Sequence, residues 1–197
     1  VRVVAAECRI DAVTVGVEGT AFDVDGPWGA GRLATPLVGA FQAWNTATAL
    51  TMLHAAGPPY APTLAEAAAA LRTVRIPGRF QRVGRFVFDV AHNPDGAAVL
   101  AETLVATGAA RPIVALVTVL ADKDWRGILA ALAPVVDRFV PTAAPTAPAS
   151  RAWRPAEALA HAEARGWPAE LVPDFDAALA RAEALGATVV VTGSFHT

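Results

Sequence analysis

The sequence predicts an α/β fold, in which a Rossmann-type domain with a mostly parallel sheet and flanking helices follows a region of β structure and helices. Three observations support this prediction. Segments typical of strands and of helices alternate after residue 78. The segment "PIVALVTVL" at 112–120 is apolar almost throughout, as expected of a parallel strand buried on both faces. Apolar residues make up 54% of the 197 residues, which is enough for a sizeable core.

The composition excludes several classes of protein. A formal net charge of −2 and a pI near 6.1 argue against a surface for nucleic acid or for an anionic membrane. The single cysteine, Cys8, has no partner for an internal disulfide and fits a reducing compartment. No apolar run approaches the roughly 18 residues that cross a bilayer, and the first residues lack the apolar segment of a signal peptide. We therefore expect a soluble cytoplasmic protein.

The first part of the chain begins with β structure and continues into a helix. The runs "AVTVGV" and "TAFDVD" are typical of short antiparallel strands, and "DGPWGAG" at 25–31 is a cluster of turn residues. A helix is predicted from about residue 36 to Gly57, where two prolines stop it. Helical spacing places these residues on its apolar face: Leu37, Phe41, Trp44 and Met52.

A second helix and a domain boundary follow. Thr63 is a good N-cap, and Glu66 three residues later completes a capping-box pattern. The segment "RIPG" at 75–78 then interrupts the chain, and the rhythm of elements changes after it. We therefore predict two domains, 1–75 and 76–197.

The second part has the element order of a doubly wound domain. Two strand-like runs at 79–84 and 85–91 precede a helix that begins at Pro94 and ends at Gly108. The elements predicted after it are a strand at 112–120, a helix at 124–135, a strand at 137–141, a loop at 142–150, a helix at 154–166, a short strand-like segment at 169–172, a helix at 174–185 and a strand at 187–193.

Polar residues gather in the stretch "FDVAHNPDG", 88–96. Asn93 is a good N-cap and Pro94 suits the first helical turn, so Asp89 and His92 lie where a strand ends and a helix begins. Ligands of doubly wound sheets usually bind at this edge. The alternative is structural, because an aspartate at a strand end often only caps a loop. The chain contains neither G-x-G-x-x-G at this turn nor a P-loop.

Four stretches in sequence order resemble the Mur ligase superfamily, and within it most closely the folylpolyglutamate synthase/dihydrofolate synthase family. "PLVGAFQAWNTATAL" resembles the P-L-x-G-x-H-Q-x-x-N-A-A-x-A-L helix of that family. "IPGRFQRVGRFVFDVAHNPDG" resembles its P-G-R-x-E…D-G-A-H-N-P segment. "VLADKDW…TAPASRAW" resembles its L-x-D-K-D…T-x-P-x-S-R-A stretch, and "VVVTGS" resembles its V-T-G-S strand end.

The resemblance implies an ATP-dependent amide ligase. In this family ATP phosphorylates the carboxylate of dihydropteroate or the γ-carboxylate of a folate, and the amine of L-glutamate attacks the acyl phosphate. The expected cofactors are therefore ATP and Mg²⁺, and the expected partners are L-glutamate and a folate or dihydropteroate, with no nucleic acid and no membrane. A monomer is expected. Residues 1–75 resemble the tail of the family's ATPase domain, and residues 76–197 resemble its C-terminal glutamate ligase domain.

The resemblance also assigns site residues one by one. Asn45 matches the asparagine near the adenine, Arg79 the arginine that contacts the nucleotide, and Asp89 the aspartate near the ribose. Two further positions complete the match: His92, the histidine close to the phosphates and the expected catalytic residue, and Ser194, the serine of V-T-G-S, which meets the nucleotide or holds its loop. Each of these residues also has an ordinary structural explanation.

One further residue and three departures come from the same motifs. Lys123 lies between Asp122 and Asp124, where it acts on an acidic substrate or simply pairs locally at the surface. The chain departs from the family pattern at Phe41, Gln81 and Val90, where histidine, glutamate and glycine are usual.

The chain lacks the family's P-loop and Mg²⁺ ligands, so we expect it to be inactive alone, with the metal ligands in a preceding part and none in this chain. Two alternatives stay open: another Mur-type ligase that acts on a cell-wall precursor, and an α/β nucleotide-binding module without catalytic activity.

Overall fold

The computed structural model describes residues 3–196. The chain divides into two compact units, Val1–Ile76 and Pro77–Thr197, and each is described by itself. No helix in the described range is long and apolar enough to span a bilayer.

The first unit is a three-stranded antiparallel sheet with helices packed on it. The described strands are β1 (Arg9–Gly16), β2 (Gly19–Gly26) and β3 (Gly29–Thr35), in that order across the sheet. The described helices are α1 (Val4–Glu7), α2 (Phe41–Ala56) and α3 (Leu64–Leu71). The core joins Phe22, Val24 and Leu33 of the sheet to Leu50 of α2 and Ala67 of α3. The cluster of turn residues predicted at 25–31 is longer than the turn itself. The turn is confined to 26–29, and β3 begins at Gly29.

The face predicted to be apolar on α2 is not the buried one. Trp44 and Met52 are 43% and 68% exposed. The buried residues of this helix are small or polar, and they are Gln42, Ala43, Thr46, Ala47, Leu50 and Thr51. Small side chains let the helix backbone approach the sheet closely, so packing distance rather than hydropathy chooses the face. The C-terminal end of α2 at Gly57 and the capping box of Thr63 and Glu66 at the start of α3 were predicted correctly. The start of α2 was not, because the helix begins at Phe41 and not near residue 36.

The second unit is a five-stranded, mostly parallel sheet flanked by helices, which confirms the predicted fold class. Its described strands are β4 (Gln81–Val83), β5 (Phe86–Asp89), β6 (Ile113–Val117), β7 (Arg138–Pro141) and β8 (Thr188–Thr192). Its described helices are α4 (Pro94–Ala106), α5 (Trp125–Leu132), α6 (Pro155–Glu163) and α7 (Phe175–Leu185), with a 3₁₀ turn at Ala149–Arg151. The strands lie in the order β4-β5-β8-β6-β7, and β4 runs antiparallel to β5.

Every residue of β6 and β8 is buried. On one face, α7 packs through Ala178 and Ala182 against Val114, Val189 and Val191. Helices thus cover the sheet as the apolar run at 112–120 predicted. The segment 169–172 does not form the predicted strand. Ala169 makes one isolated bridge to Phe139, and the amides of Glu170 and Val172 donate to the carbonyl oxygens of Phe139 and Pro141.

The parallel strands end in one row. Asp89 of β5 pairs with Thr192 of β8, Thr192 pairs with Val117 of β6, and Val117 pairs with Pro141 of β7. The loops that follow these four residues therefore leave the sheet at the same edge, which we call the carboxyl edge.

Candidate functional site

The carboxyl edge of the second unit holds a small cavity of about 230 Å³. Its polar side chains are basic or carry a hydroxyl group, and they belong to His92, Lys123, Arg151, Ser194 and His196. The aromatic ring of Phe195 also lines the cavity. A neighbouring cavity of about 190 Å³ shares Ser194 and Phe195 and is lined by Asp89 as well. Four sequence-predicted residues, His92, Lys123, Ser194 and Asp89, therefore line adjoining cavities.

The loop from β5 to α4 is built by its own sequence. The side chain of Asn93 accepts a hydrogen bond from the amide of Gly96 at 2.7 Å, and Pro94 occupies the first helical turn. His92 precedes this cap and is half-buried, with Nδ1 3.0 Å from the carbonyl oxygen of Val90. Because a carbonyl only accepts, Nδ1 carries the hydrogen, and Nε2 is the ring nitrogen that can meet a ligand.

Asp89 contacts backbone on both sides. Its Oδ2 accepts the amide of Phe80 and its Oδ1 accepts the amide of Ala91, each at 2.9 Å. Burial raises the pKa of the Asp89 carboxyl above its ordinary value, although both amides and the charge of Arg79 act in the opposite direction. A carboxylate held largely out of water beside a cation is typical of a binding site.

Ser194 lies in the loop after β8 and is buried, at 4% exposure. Its Oγ accepts the amide of His196 at 3.0 Å, so the hydroxyl has a part in holding the loop. Gly193 before it has φ +105°, and a Cβ at that position would lie 2.2 Å from the carbonyl oxygen of Thr118. The loop therefore leaves β8 through a close backbone approach that requires glycine.

Arg79 and His92 both approach the ring of Phe195. The guanidinium carbon of Arg79 lies 5.9 Å from the ring centroid, and the imidazole centroid of His92 also lies 5.9 Å from it. Phe195 is 66% exposed. The ring that both residues approach lines a cavity together with Asp89.

Lys123 lies in the turn between β6 and α5, with Nζ 3.7 Å from Asp122. Asp122 is itself bound by two nitrogens of Arg151, the closest contact being 2.8 Å. The hydrogen bond from Arg151 lowers the pKa of the Asp122 carboxyl, and Lys123 adds to the effect. Two cations that line the cavity thus share one carboxylate.

Asn45 belongs to the first unit, on α2. Its side chain is exposed, and Nδ2 donates to Oε1 of the buried Gln42 at 2.9 Å. This bond orients the amide of Asn45 and uses one of its two N–H donors.

Sequence reasoning did not select Arg151, Phe195 or His196 as site residues. The signal for Arg151 was present, because it is the arginine of the quoted "SRA" segment, and a basic residue that follows a loop at a sheet edge is a candidate for anion binding. Phe195 carried no signal, since an aromatic residue after a strand is ordinarily core.

The donor set at the carboxyl edge suits anions. Among residues 3–196, no group of three or more His, Cys, Asp or Glu side chains is placed to hold a metal ion. The side chains of Arg79, Lys123 and Arg151 instead offer N–H donors for phosphate or carboxylate oxygens, and His92 offers a proton acceptor or donor.

Comparison with known proteins gives a family match over most of the second unit. The Mur ligase family, glutamate ligase domain, matches residues 78–195. This range contains the residues named at the carboxyl edge except His196.

Relatives and solved structures extend the similarity. The dihydrofolate synthase/folylpolyglutamate synthase of Escherichia coli is 37% identical over 163 residues, which cover 78% of this chain and 36% of that protein. The UDP-N-acetylmuramoyl-L-alanyl-D-glutamate–2,6-diaminopimelate ligase of Bacillus licheniformis is 35% identical over 95 residues, 46% of this chain and 19% of that protein. The structure of Mycobacterium tuberculosis folylpolyglutamate synthase complexed with ADP and AMPPCP superimposes with a TM-score of 0.86 at 32% identity, over 98% of this chain and 46% of that one. The resemblance stated from the motifs is confirmed, and the chain spans between about a quarter and about a third of the length of the curated folate enzymes it matches first.

Proposed function

The chain belongs to the Mur ligase family through its glutamate ligase domain, and from this premise we propose that it is a portion of an ATP-dependent carboxylate–amine ligase that adds L-glutamate to dihydropteroate, to folates or to both. The observation that carries the proposal is the basic cavity at the carboxyl edge, with Lys123 and Arg151 on one side and His92 and Ser194 on the other. Such a cavity suits the acidic substrates of this reaction.

The chemistry explains why these residue types are needed. A carboxylate has no leaving group until ATP phosphorylates it, and the amine of glutamate then displaces phosphate from the acyl phosphate. Each reactant is an anion, so the protein must position anions close together and neutralise their repulsion. Arg79 and Lys123 supply fixed positive charge, and His92 can take a proton from the attacking ammonium group or hydrogen-bond to a phosphate oxygen.

The proposed division of labour follows the matched motifs. The amide of Asn45 pairs with the donor and acceptor edge of adenine, and Arg79 binds phosphate oxygens. Asp89 retains lone pairs for a ribose hydroxyl after it has accepted two amides. Ser194 holds its loop, and Lys123 binds a carboxylate of the acidic substrate. Mg²⁺ stays an expectation from the family, and we derive no step through it.

A second candidate is a Mur-type ligase that acts on a cell-wall precursor. The similarity to the Bacillus licheniformis ligase favours it, although that match covers less of the chain than the match to the Escherichia coli folate enzyme. Both candidates use the same cavity for an amino acid. They differ in the carboxylate that is activated.

The test is a chimera in which this chain replaces the matching segment of the Escherichia coli relative. We expect ADP release that depends on L-glutamate and on dihydropteroate or tetrahydrofolate. Release that depends instead on a UDP-linked muropeptide would establish the second candidate. A folded chimera that binds MgADP and catalyses neither reaction would contradict both and leave a nucleotide-binding module.

A matched pair of variants makes this assay specific to the site. Arg79→Ala in the chimera should reduce the rate, whereas Arg111→Ala, at the opposite edge of the sheet, should not. The isolated chain is expected to be inactive, so turnover by the chain alone would overturn the view that it is one portion of the enzyme. The cytoplasmic location and the monomeric state remain predictions, which fractionation and sedimentation would check.

A further inference from the structure

We propose that Asp89 is a positioning residue that sets Arg79 and His92 together, before any ligand binds. The inference builds on the proposed function, because it takes Arg79 and His92 as the ligand-binding groups. Its structural part is independent of which ligand is bound.

The carboxylate of Asp89 joins two segments of chain. Oδ2 accepts the amide of Phe80, the residue directly after Arg79, and Oδ1 accepts the amide of Ala91, the residue directly before His92. Each oxygen therefore holds the backbone of one candidate residue's neighbour. A single side chain fixes both positions.

The segment that carries Arg79 needs such a partner. Phe80 is buried and has φ +48°, a left-handed conformation that is unfavourable for a residue other than glycine and persists only where the surroundings hold it. The bond from its amide to Asp89 is one such restraint. Without it, the backbone at Phe80 is free to relax to an ordinary conformation, and Arg79 moves with it.

The two segments also lie against each other directly. The amide of Val90 donates to the carbonyl oxygen of Gly78 at 2.9 Å. Gly78 has φ +68°, and a Cβ there would lie 2.8 Å from Cγ1 of Val90. Val90, which departs from the family's usual glycine, thus fills the space beside Gly78. The carboxylate of Asp89 lies within a packed pair of segments and not at a free loop.

This packing brings the side chains of Arg79 and His92 to the same aromatic ring. Arg79 and His92 approach the same ring of Phe195, each at 5.9 Å. Both hydrogen bonds of the carboxylate are partly buried, so water competes with them less than it would at an exposed loop. In the described part of the chain no ion pair joins Arg79 to Asp89, so the guanidinium keeps its donors for a ligand while the carboxylate acts through the backbone.

The experiment uses the ligand-free chain, where a role in nucleotide contact alone would have no effect. Amide exchange of Phe80 and Ala91, and the tautomer of the His92 ring, are measured by ¹⁵N NMR in wild type, Asp89→Asn and Asp89→Ala. We expect at least a 10-fold loss of protection at both amides in Asp89→Ala and loss of the single Nδ1–H tautomer. In Asp89→Asn we expect the loss at one amide, because the carboxamide keeps one acceptor oxygen and presents N–H to the other donor.

The control variant is Asp137→Ala, which removes an equivalent carboxylate that accepts the amide of Ile113 at the other edge of the sheet. It should release Ile113 and leave Phe80, Ala91 and His92 unchanged. If Asp89→Ala does not fold, Asp89→Asn decides. Unchanged amide protection and an unchanged His92 tautomer in a folded Asp89 variant would overturn the proposal. Equal losses of protection at Ile113 and at Phe80 in an Asp89 variant would overturn it too, because they would mean a general loss of stability.

A second arm links positioning to binding. MgADP titrated into the chimera that carries the same substitutions should bind about 10-fold more weakly to Asp89→Ala and to Arg79→Ala, and the double variant should lose little more than either. Additive losses would mean that Asp89 does not act through Arg79. If the chimera with the wild-type segment binds no MgADP while the NMR results hold, the proposed function fails and the positioning role stands.

Discussion

Two aspartates at opposite edges of the same sheet perform similar backbone duties in different electrostatic settings. At the edge where strands begin, Asp137 accepts the amide of Ile113 at 2.6 Å and an ion pair from Arg111 at 2.7 Å. At the carboxyl edge, Asp89 accepts two amides, and its nearest cation contributes charge without pairing.

The pKa values of the two carboxyls move in opposite directions. Burial opposes ionisation at both sites, but at Asp137 the amide of Ile113 and the guanidinium of Arg111 outweigh it and lower the pKa. At Asp89 burial prevails and raises the pKa. A fully paired carboxylate stabilises the fold, whereas a buried one beside an unpaired cation leaves that cation available. A carboxyl group whose pKa is raised by burial therefore indicates which edge of the sheet is the candidate binding site.

The largest effect is expected from a change in backbone packing at the carboxyl edge. Gly193→Ala should lower the free energy of unfolding by about 3 kcal/mol or more, since its Cβ would overlap the Thr118 carbonyl at an unfavourable φ. Gly108→Ala is the control, because its φ is also positive but its Cβ would meet open space, and it should cost about 1 kcal/mol. Urea unfolding measures both, and equal losses would mean that the close approach does not constrain this edge.

The next effect tests the amino edge. Asp137→Ala should cost about 2 kcal/mol, because the amide of Ile113 loses its acceptor and Arg111 its partner. Asp11→Ala, which removes an exposed partner of Arg9, should change stability by less than about 0.5 kcal/mol. If the two variants unfold at the same urea concentration, Asp137 is not the structural carboxylate that its partners indicate.

The pH dependence of stability should separate the two aspartates by sign. The raised pKa of Asp89 means that the folded state binds a proton more tightly than the unfolded state, so the stability from this group falls as pH rises from its ordinary value of 3.8 towards the folded value. The lowered pKa of Asp137 means that its contribution is present above 3.8 and is lost as pH falls through the folded value.

Unfolding of Asp89→Asn and Asp137→Asn between pH 3 and 7 checks this. The stability gap between wild type and variant should narrow with rising pH for Asp89 and widen for Asp137, by up to about 1.4 kcal/mol for each unit of pKa difference. If the stability gap changes with pH in the same way for both variants, the two carboxyl groups do not differ in the direction of their pKa shifts.

The smallest change in stability is expected for the two arginines. Arg79→Ala and Arg111→Ala should each shift unfolding by no more than about 0.5 kcal/mol, because both side chains are exposed. Binding should distinguish them, since MgADP affinity should fall about 10-fold with Arg79→Ala and stay unchanged with Arg111→Ala. Calorimetric titration measures this affinity. An equal loss of affinity in Arg111→Ala would contradict the assignment of nucleotide binding to the carboxyl edge.

The parts of the fold that were predictable from sequence depend on local backbone chemistry. Thr63 with Glu66, and Asn93 with Pro94, mark helix starts because capping needs nearby residues only. The buried strand at 112–120 was predictable because both of its faces are apolar. The buried face of α2 was not, since Trp44 and Met52 are the larger apolar residues and yet lie outward. That choice depends on how closely the helix approaches the sheet.

The location of the candidate site was predictable from the sequence, whereas the hydrogen bonds and ion pairs within it were not. Asp89 and His92 stand out because polar residues at a strand end are conspicuous in an apolar chain. Nothing in the sequence indicates that both oxygens of Asp89 accept amides, one of them from a residue nine positions earlier. The pairing of Asp122 with Arg151 likewise joins residues 29 positions apart, which local patterns do not reveal.

The order of strands has a consequence for how the second unit is made. β8 is the last strand along the described chain, yet it lies between β5 and β6. A ribosome therefore delivers β5, β6 and β7 before the strand that joins them exists, and the facing edges of β5 and β6 stay unpaired for the synthesis of some seventy residues that separate β6 from β8. Unpaired edges are templates for wrong pairing with other chains. The sheet of this unit is thus completed only after β8 has been synthesised, and chains released before residue 188 should be substrates for chaperones and proteases.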